Sequence, residues 1–183
     1  MSISTNEINI VIGSWGSYNE CNERALGSGW LKLSDYSNWE EIEEELIKRG
    51  FELVGIDEEL FIQDIEGIDS YENWDYMSPE KLFNTLKEAE VLDNEYKYEI
   101  MCAYVDARSY SDFERLVECK GSNWDDDIHV YKNYTYEDYG REMFEMFGYQ
   151  IPDALDDFID FDAYGRYVGE YVEEYSDGLI EIY

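Results

Sequence analysis

Near the start of the chain Ile8, Ile10 and Ile12 fall at every second position, the spacing that turns one face of a strand into a core. Ser14 to Ser28, marked by Gly13, Gly16, Gly27 and Gly29, reads as a long turn region. Trp30, Leu31 and Leu33 predict a second strand. Ser37 and Glu40 then form a capping-box pattern. The helix it opens places Trp39, Ile42, Leu46 and Ile47 on one face and stops at Gly50. Phe51, Leu53 and Val54 predict a third strand, and Phe61, Ile62 and Ile65 a further extended piece.

The period changes in the middle of the chain. Ser78-Pro79 is a helix start with proline at the first helical position, followed at helical spacing by Leu82, Phe83, Leu86 and Ala89. A second helix is predicted from Asn94 to Val105, with Tyr98, Met101, Tyr104 and Val105 inward. Ser111 and Glu114 form another capping-box pattern, and Gly121 ends that helix. Beyond it Ile128, Val130 and Lys132 read as a strand, Thr135 to Phe147 as a helix stopped by Gly148, and Pro152 as the start of a short helix. Ser176-Asp177-Gly178, flanked by Tyr171 to Tyr175 and Leu179 to Tyr183, is a hairpin signal. The fold class is therefore α+β, with a helical middle between two mixed segments. A length of 183 residues suits one large domain or two to three small ones.

Composition adds what periodicity leaves out. Aromatics make up 17% of the chain, including 18 Tyr, so it is read as folded and not as an acidic disordered tail. The charge is the outlier: 45 acids against 13 bases leave −32. A compact chain of this length has a radius of gyration of ~16 Å, or roughly 40 Å across as a sphere. Duplex DNA, with about one charge per 1.7 Å of axis, spreads the same charge over roughly 54 Å. The charge per unit length is comparable with that of DNA. Self-repulsion of this size destabilises a compact state, so something other than stability accounts for it. Nucleic acid and anionic membranes are repelled; basic proteins and cations are attracted, at a rate that falls with salt.

The acids are spread along the chain. Glu40, Glu41, Glu43, Glu44 and Glu45 crowd the outer face of the helix after Ser37. There Glu40 with Glu44, and Glu41 with Glu45, are like-charge pairs that each cost about 0.2–0.5 kcal/mol. Between Arg49 and Lys81 no basic residue occurs among ten acids; from Asp153 to the end there are ten more against Arg166 alone. The plain alternative is a surface that only keeps the protein soluble, but a net charge of roughly 2–8 serves that in a small domain. Salt adaptation is the other plain reading, and the Tyr and Trp content gives it no special support.

Catalytic and metal-binding patterns are not found. With 45 acids, a carboxylate pair is guaranteed and counts for nothing. His129, the only histidine, lies in the alternating stretch Ile128-His129-Val130 and reads as a strand residue without an accompanying nucleophile motif. No Cys or His ligands cluster as zinc requires, and Asp125-Asp126-Asp127 lacks the spacing of a calcium loop. Gly27-Ser28-Gly29 is too short for a dinucleotide loop. Cys21, Cys102 and Cys119 are odd in number and widely spaced, against a disulfide framework. No apolar run approaches a membrane span, and Met1 to Glu7 lacks the regions of a signal peptide, so a cytoplasmic protein without cofactors is expected.

The chain resembles the ArdA-type antirestriction proteins carried by mobile elements. Gly16-Ser17-Tyr18-Asn19-Glu20, Leu26-Gly27 and Gly29-Trp30-Leu31 look like that family's opening. Asp57 to Glu66 is similar to its next segment, Phe158-Ile159-Asp160-Phe161-Asp162-Ala163-Tyr164-Gly165-Arg166 is the most specific match, and Gly178 to Tyr183 agrees too. The resemblance departs from the family at Leu33-Ser34, where a proline is common, and at Tyr167, where an acid is common. It implies an elongated, curved molecule of three small domains and a head-to-head homodimer formed through the last of them. It also implies mimicry of bent B-form DNA, which fills the DNA groove of type I restriction–modification enzymes and spares incoming DNA from cleavage.

The domains expected on this basis are a mixed α/β one at 1–66, a helical one at 67–121 and a mixed α/β one at 122–183. The expected mimic surface comprises Glu40, Glu41, Glu44, Glu45, Asp57, Glu58, Glu59, Asp64, Glu66, Asp69, Glu72, Asp75, Asp125, Asp126, Asp127, Asp153, Asp156, Asp157, Asp160 and Asp162. Ile128, Val130, Tyr131, Tyr134 and Tyr136 are the candidate dimer contact, the alternative being that these aromatics are ordinary core. In Ala163-Tyr164-Gly165-Arg166 the glycine is expected to permit close packing and the arginine to tie down nearby carboxylates. Two rival functions stand beside a DNA-mimic inhibitor: an acidic binding module or chaperone for another basic DNA-binding protein, and an enzyme with an unfamiliar site.

Overall fold

The alternating isoleucines form β1 (Asn9–Ser14), the central strand of a three-stranded antiparallel sheet. β2 (Trp30–Lys32) and β3 (Leu60–Glu66) flank it, and Ile8, Ile10 and Ile12 are fully buried. The computed structural model describes residues 7–70 and 72–183, apart from the side chains of residues 153 and 154. The chain divides into two compact units, Met1–Trp124 and Asp125–Tyr183.

The glycine-marked stretch after β1 is more ordered than a turn. Ser14 caps a short helix, α1 (Trp15–Glu20), and a 3-10 turn follows at Glu23–Leu26. α2 (Trp39–Lys48) starts one residue later than its sequence pattern suggests. Asn38, as good a cap as serine, accepts from the Glu41 N–H at 3.0 Å, and the Glu41 carboxylate accepts from the Ser37 N–H at 2.7 Å. The strand expected at Phe51–Val54 does not form. Leu53 has φ 57°, a left-handed conformation that breaks a pleated ladder, and a 3-10 turn, Gly55–Asp57, follows.

Helices α3 (Pro79–Glu88), α4 (Glu95–Ala107) and α5 (Tyr110–Lys120) complete the first unit. Ser109, not Ser111, caps α5: the Ser109 hydroxyl accepts from the Asp112 N–H at 3.0 Å, and the Ser111 N–H donates to the Glu72 carboxylate at 3.0 Å. Ties to the sheet-bearing part are specific. The Tyr98 hydroxyl donates to the Gly67 carbonyl at 2.7 Å, Trp39 lies against Phe83, and Trp74 against Tyr110. Trp124 is fully buried: its Nε1 donates to the Ala89 carbonyl at 3.0 Å, and its ring meets Phe113 edge-on.

The second unit contains β4 (Ile128–Lys132), α6 (Tyr136–Met146), α7 (Asp153–Asp156), α8 (Phe161–Val168), β5 (Val172–Tyr175) and β6 (Gly178–Ile182). Its antiparallel sheet has the order β4-β6-β5, so β4 and β5 are edges. The core is rich in tyrosine: Tyr136, Tyr139, Met143, Val172 and Leu179, with Tyr131, Tyr134, Tyr164 and Val168 packed against them. α6 and α8 cross backbone to backbone at two glycines. A Cβ on Gly140 would lie 2.1 Å from the Phe161 carbonyl oxygen, and one on Gly165 would lie 2.0 Å from that of Tyr136. The close packing expected at Gly165 is present. Among the described residues no helix is long and apolar enough to cross a membrane.

Candidate acidic interaction surface

Burial of Trp39, Ile42 and Leu46 turns the intervening glutamates of α2 outward, whereas Ile47, expected inward, is exposed. Glu40, Glu41 and Glu44 are exposed and form no ion pair among the described residues. Glu45 is half-buried and differs. It pairs with Arg49 at 2.8 Å and Lys48 at 3.8 Å, and the Arg49 hydrogen bond holds its carboxyl below the ordinary value. Arg49 also donates to the Ser28 and Trp30 carbonyls, so this pair anchors α2 to the β2 region.

Asp57 is a correction to the expected surface, because its carboxylate is fully buried. It accepts from the Ser17 hydroxyl and the Glu52 N–H, and pairs with Arg24 at 2.9 Å. Burial alone would push this carboxyl up. The bonds from Ser17 and Glu52, with the Arg24 charge, outweigh burial and hold it below its ordinary value. Asp57 therefore staples the segment after β1 to the 3-10 turn before β3. Arg24, a cation inside the glycine-marked stretch, was the available sequence signal for it.

The neighbours of Asp57 behave differently. Glu58, Glu59, Asp64, Glu66, Asp69 and Asp75 are exposed and Glu72 half-buried; none forms an ion pair among the described residues. A cleft of about 510 Å³ opens in this region. Trp15, Trp39, Tyr76 and Met77 wall it, and Glu43, Glu58, Glu59, Asp75 and Glu80 rim it. Glu43 and Glu80 lie outside the expected set. Glu43 was legible as the i+4 partner of Trp39, whose Nε1 donates to it at 3.2 Å.

In the second unit Asp126, Asp127, Asp157, Asp160 and Asp162 are exposed, and Asp125 and Asp156 half-buried; the side chain of Asp153 lies outside the described residues. Asp160 caps α8. Arg166 pairs with Asp162 at 2.9 Å and Glu174 at 3.3 Å, with its guanidinium 4.1 Å from the Tyr136 ring centroid. Arg141 pairs with Glu137 and Asp156, both at 3.1 Å, and lies 4.2 Å from the Phe161 centroid. Arg166 is thus the carboxylate staple expected of it.

The candidate dimer residues are mostly spent inside the protomer. Ile128 and Tyr136 are buried, and the Tyr136 hydroxyl donates to the Val172 carbonyl at 2.9 Å. Tyr131 and Tyr134 pack on the core, and Val130 is half-buried. Glu181, 7% exposed, accepts from the hydroxyls of Tyr131 and Tyr139 at 3.0 Å and of Tyr183 at 2.8 Å. Burial, and then the bond to Glu181, pushes the Tyr131 and Tyr139 phenols above their ordinary value.

His129 is exposed on β4. All three cysteines are free, and burial pushes the Cys102 thiol up to about 11, which suppresses its thiolate. No group of three or more metal-ligating side chains is gathered among the described residues.

These features define an acidic α+β protein that presents unpaired carboxylates from a helix and from a cation-free stretch. The chain belongs to the ArdA family of antirestriction proteins: the family model "Antirestriction protein (ArdA)" matches residues 10–181. A comparison with curated proteins finds no match.

Proposed function

We propose that the protein is a non-catalytic, cytoplasmic DNA mimic that fills the DNA-binding groove of type I restriction–modification enzymes. The observation that carries this reading is the stretch between Arg49 and Lys81, where exposed carboxylates stand without ion pairs and the sequence supplies no cation. Surface charge left uncompensated within the protomer is available to a basic partner. Carboxylates three or four residues apart on a helix hang from Cβ atoms about 5–6 Å apart, a spacing that approximates a row of phosphates.

The reading includes a three-domain, elongated body and a homodimer. Two chains would carry −64, twice the −32 of one, equal to the phosphates on roughly 110 Å of duplex. Because Ile128 and Tyr136 are buried, the dimer contact falls to the open edge of β4, with Val130 and the outer flanks of Tyr131 and Tyr134. Val130→Asp is expected to shift sedimentation from dimer to monomer; unchanged sedimentation removes this edge from the reading.

The central test is competition. A type I methyltransferase core, labelled target duplex and this protein are mixed at two salt concentrations. Stoichiometric displacement of DNA that weakens as salt rises is expected. No displacement at low salt overturns the proposal.

A further inference from the structure

Charge alone does not account for the cleft in the first unit. Its lining includes aromatic side chains and a thioether: Trp15, stacked on Phe61 with centroids 4.1 Å apart; Trp39; Tyr76, which is 84% exposed; and Met77. Among the described residues Glu58, Glu59, Asp75 and Glu80 on its rim have no ion pair. The second unit shows twice what this chain does with such surroundings. Arg166 lies over Tyr136 between Asp162 and Glu174, and Arg141 lies over Phe161 between Glu137 and Asp156. The cleft has the rings and carboxylates of that arrangement; among the described residues the only lining acid paired with a guanidinium is Asp57, held by Arg24.

We propose that the cleft takes the guanidinium of an arginine presented by a basic protein partner. A planar, weakly hydrated cation that stacks on aromatic faces and forks onto carboxylates suits these walls better than a strongly hydrated ammonium. Nucleotides, whose bases also stack on aromatic rings, bring phosphates that these carboxylates repel. The volume lies within the ~300–1,000 Å³ of small-ligand clefts, enough for the side chain and flanking backbone. The identity of the partner rests on the proposed function; the chemistry of the cleft does not.

The ¹⁵N-labelled full chain is titrated with N-acetyl-arginine methylamide, with the lysine and uncharged citrulline analogues and NaCl at matched ionic strength as comparisons. The indole N–H signals of Trp15 and Trp39 are expected to shift saturably with arginine, less with lysine and not with citrulline, while buried Trp124 stays still. Tyr76→Ala, at an exposed side chain, is expected to weaken arginine binding about fivefold. Equal shifts with citrulline or NaCl, or an unchanged titration for Tyr76→Ala, overturn the proposal.

The same variant enters the DNA competition. Several-fold weaker displacement by Tyr76→Ala supports the cleft. Wild-type displacement that Tyr76→Ala matches overturns its role and leaves the proposed function standing. Arginine filling the cleft of a chain that never displaces DNA supports the cleft chemistry and overturns that function.

Discussion

The second unit and the cation-free stretch of the first handle an excess of acid in different ways. In the second, Arg141 and Arg166 each bridge two carboxylates and lie over an aromatic ring. There charge is tied into a small, tyrosine-rich fold, down to the three phenols that solvate Glu181. In the first, residues 50–80 contain no cation, and among the described residues only Asp57 of their ten acids forms an ion pair, with Arg24 from elsewhere in the unit. The lesson is that an acidic residue is not a unit of function. Asp57, Glu58 and Glu59 are consecutive, yet the first is a buried staple and the next two are free on the rim of a cleft.

Substitutions can break this contrast, starting with the largest expected effect. Gly165→Ala forces a Cβ into the Tyr136 backbone and should destabilise the second unit by about 3 kcal/mol. Hydrogen exchange is expected to lose protection across 126–183 while the first unit keeps its own.

Asp57→Asn should cost about 2–3 kcal/mol, because the buried partners lose a charged acceptor. The folded carboxyl is depressed, so its contribution is fully present above the unfolded value of about 3.9 and is lost as pH falls through the folded one. Chemical denaturation from pH 7 to 3 should therefore show the gap between wild type and variant constant above about pH 4.5 and closing below it.

Arg166→Ala should cost about 1 kcal/mol, chiefly its contact with Tyr136, because exposed ion pairs add little. Glu58→Gln with Glu59→Gln should leave stability within about 0.5 kcal/mol of wild type while weakening DNA displacement and flattening its salt dependence. A stability loss as large as that of Asp57→Asn would erase the distinction between these neighbours.

Much of the secondary structure was legible. Thr135 and Asp138, Ser78-Pro79 and Asn94 start helices where local chemistry indicates, and Ser176-Asp177-Gly178 turns a hairpin. The misses lie at particular residues. Near Ser37 and Ser111 other caps, Asn38 and Ser109, accept the Glu41 and Asp112 N–H groups, and at Leu53 a left-handed backbone replaces the strand. Of the candidate surface, Glu40, Glu44, Glu58 and Glu59 were legible as exposed acids, and Asp57 was not.

The sequence by itself determined the sign and size of the charge, the α+β class, most helix starts and the absence of cations between Arg49 and Lys81. These follow from composition and from spacings of a few residues, which act locally. Tertiary structure alone decided which acids are spent internally, that Trp15, Trp39 and Tyr76-Met77 line one cleft, and that two helices cross at Gly140 and Gly165. Those outcomes depend on contacts between residues about twenty to sixty positions apart, and no local pattern encodes which partner a buried carboxylate will find.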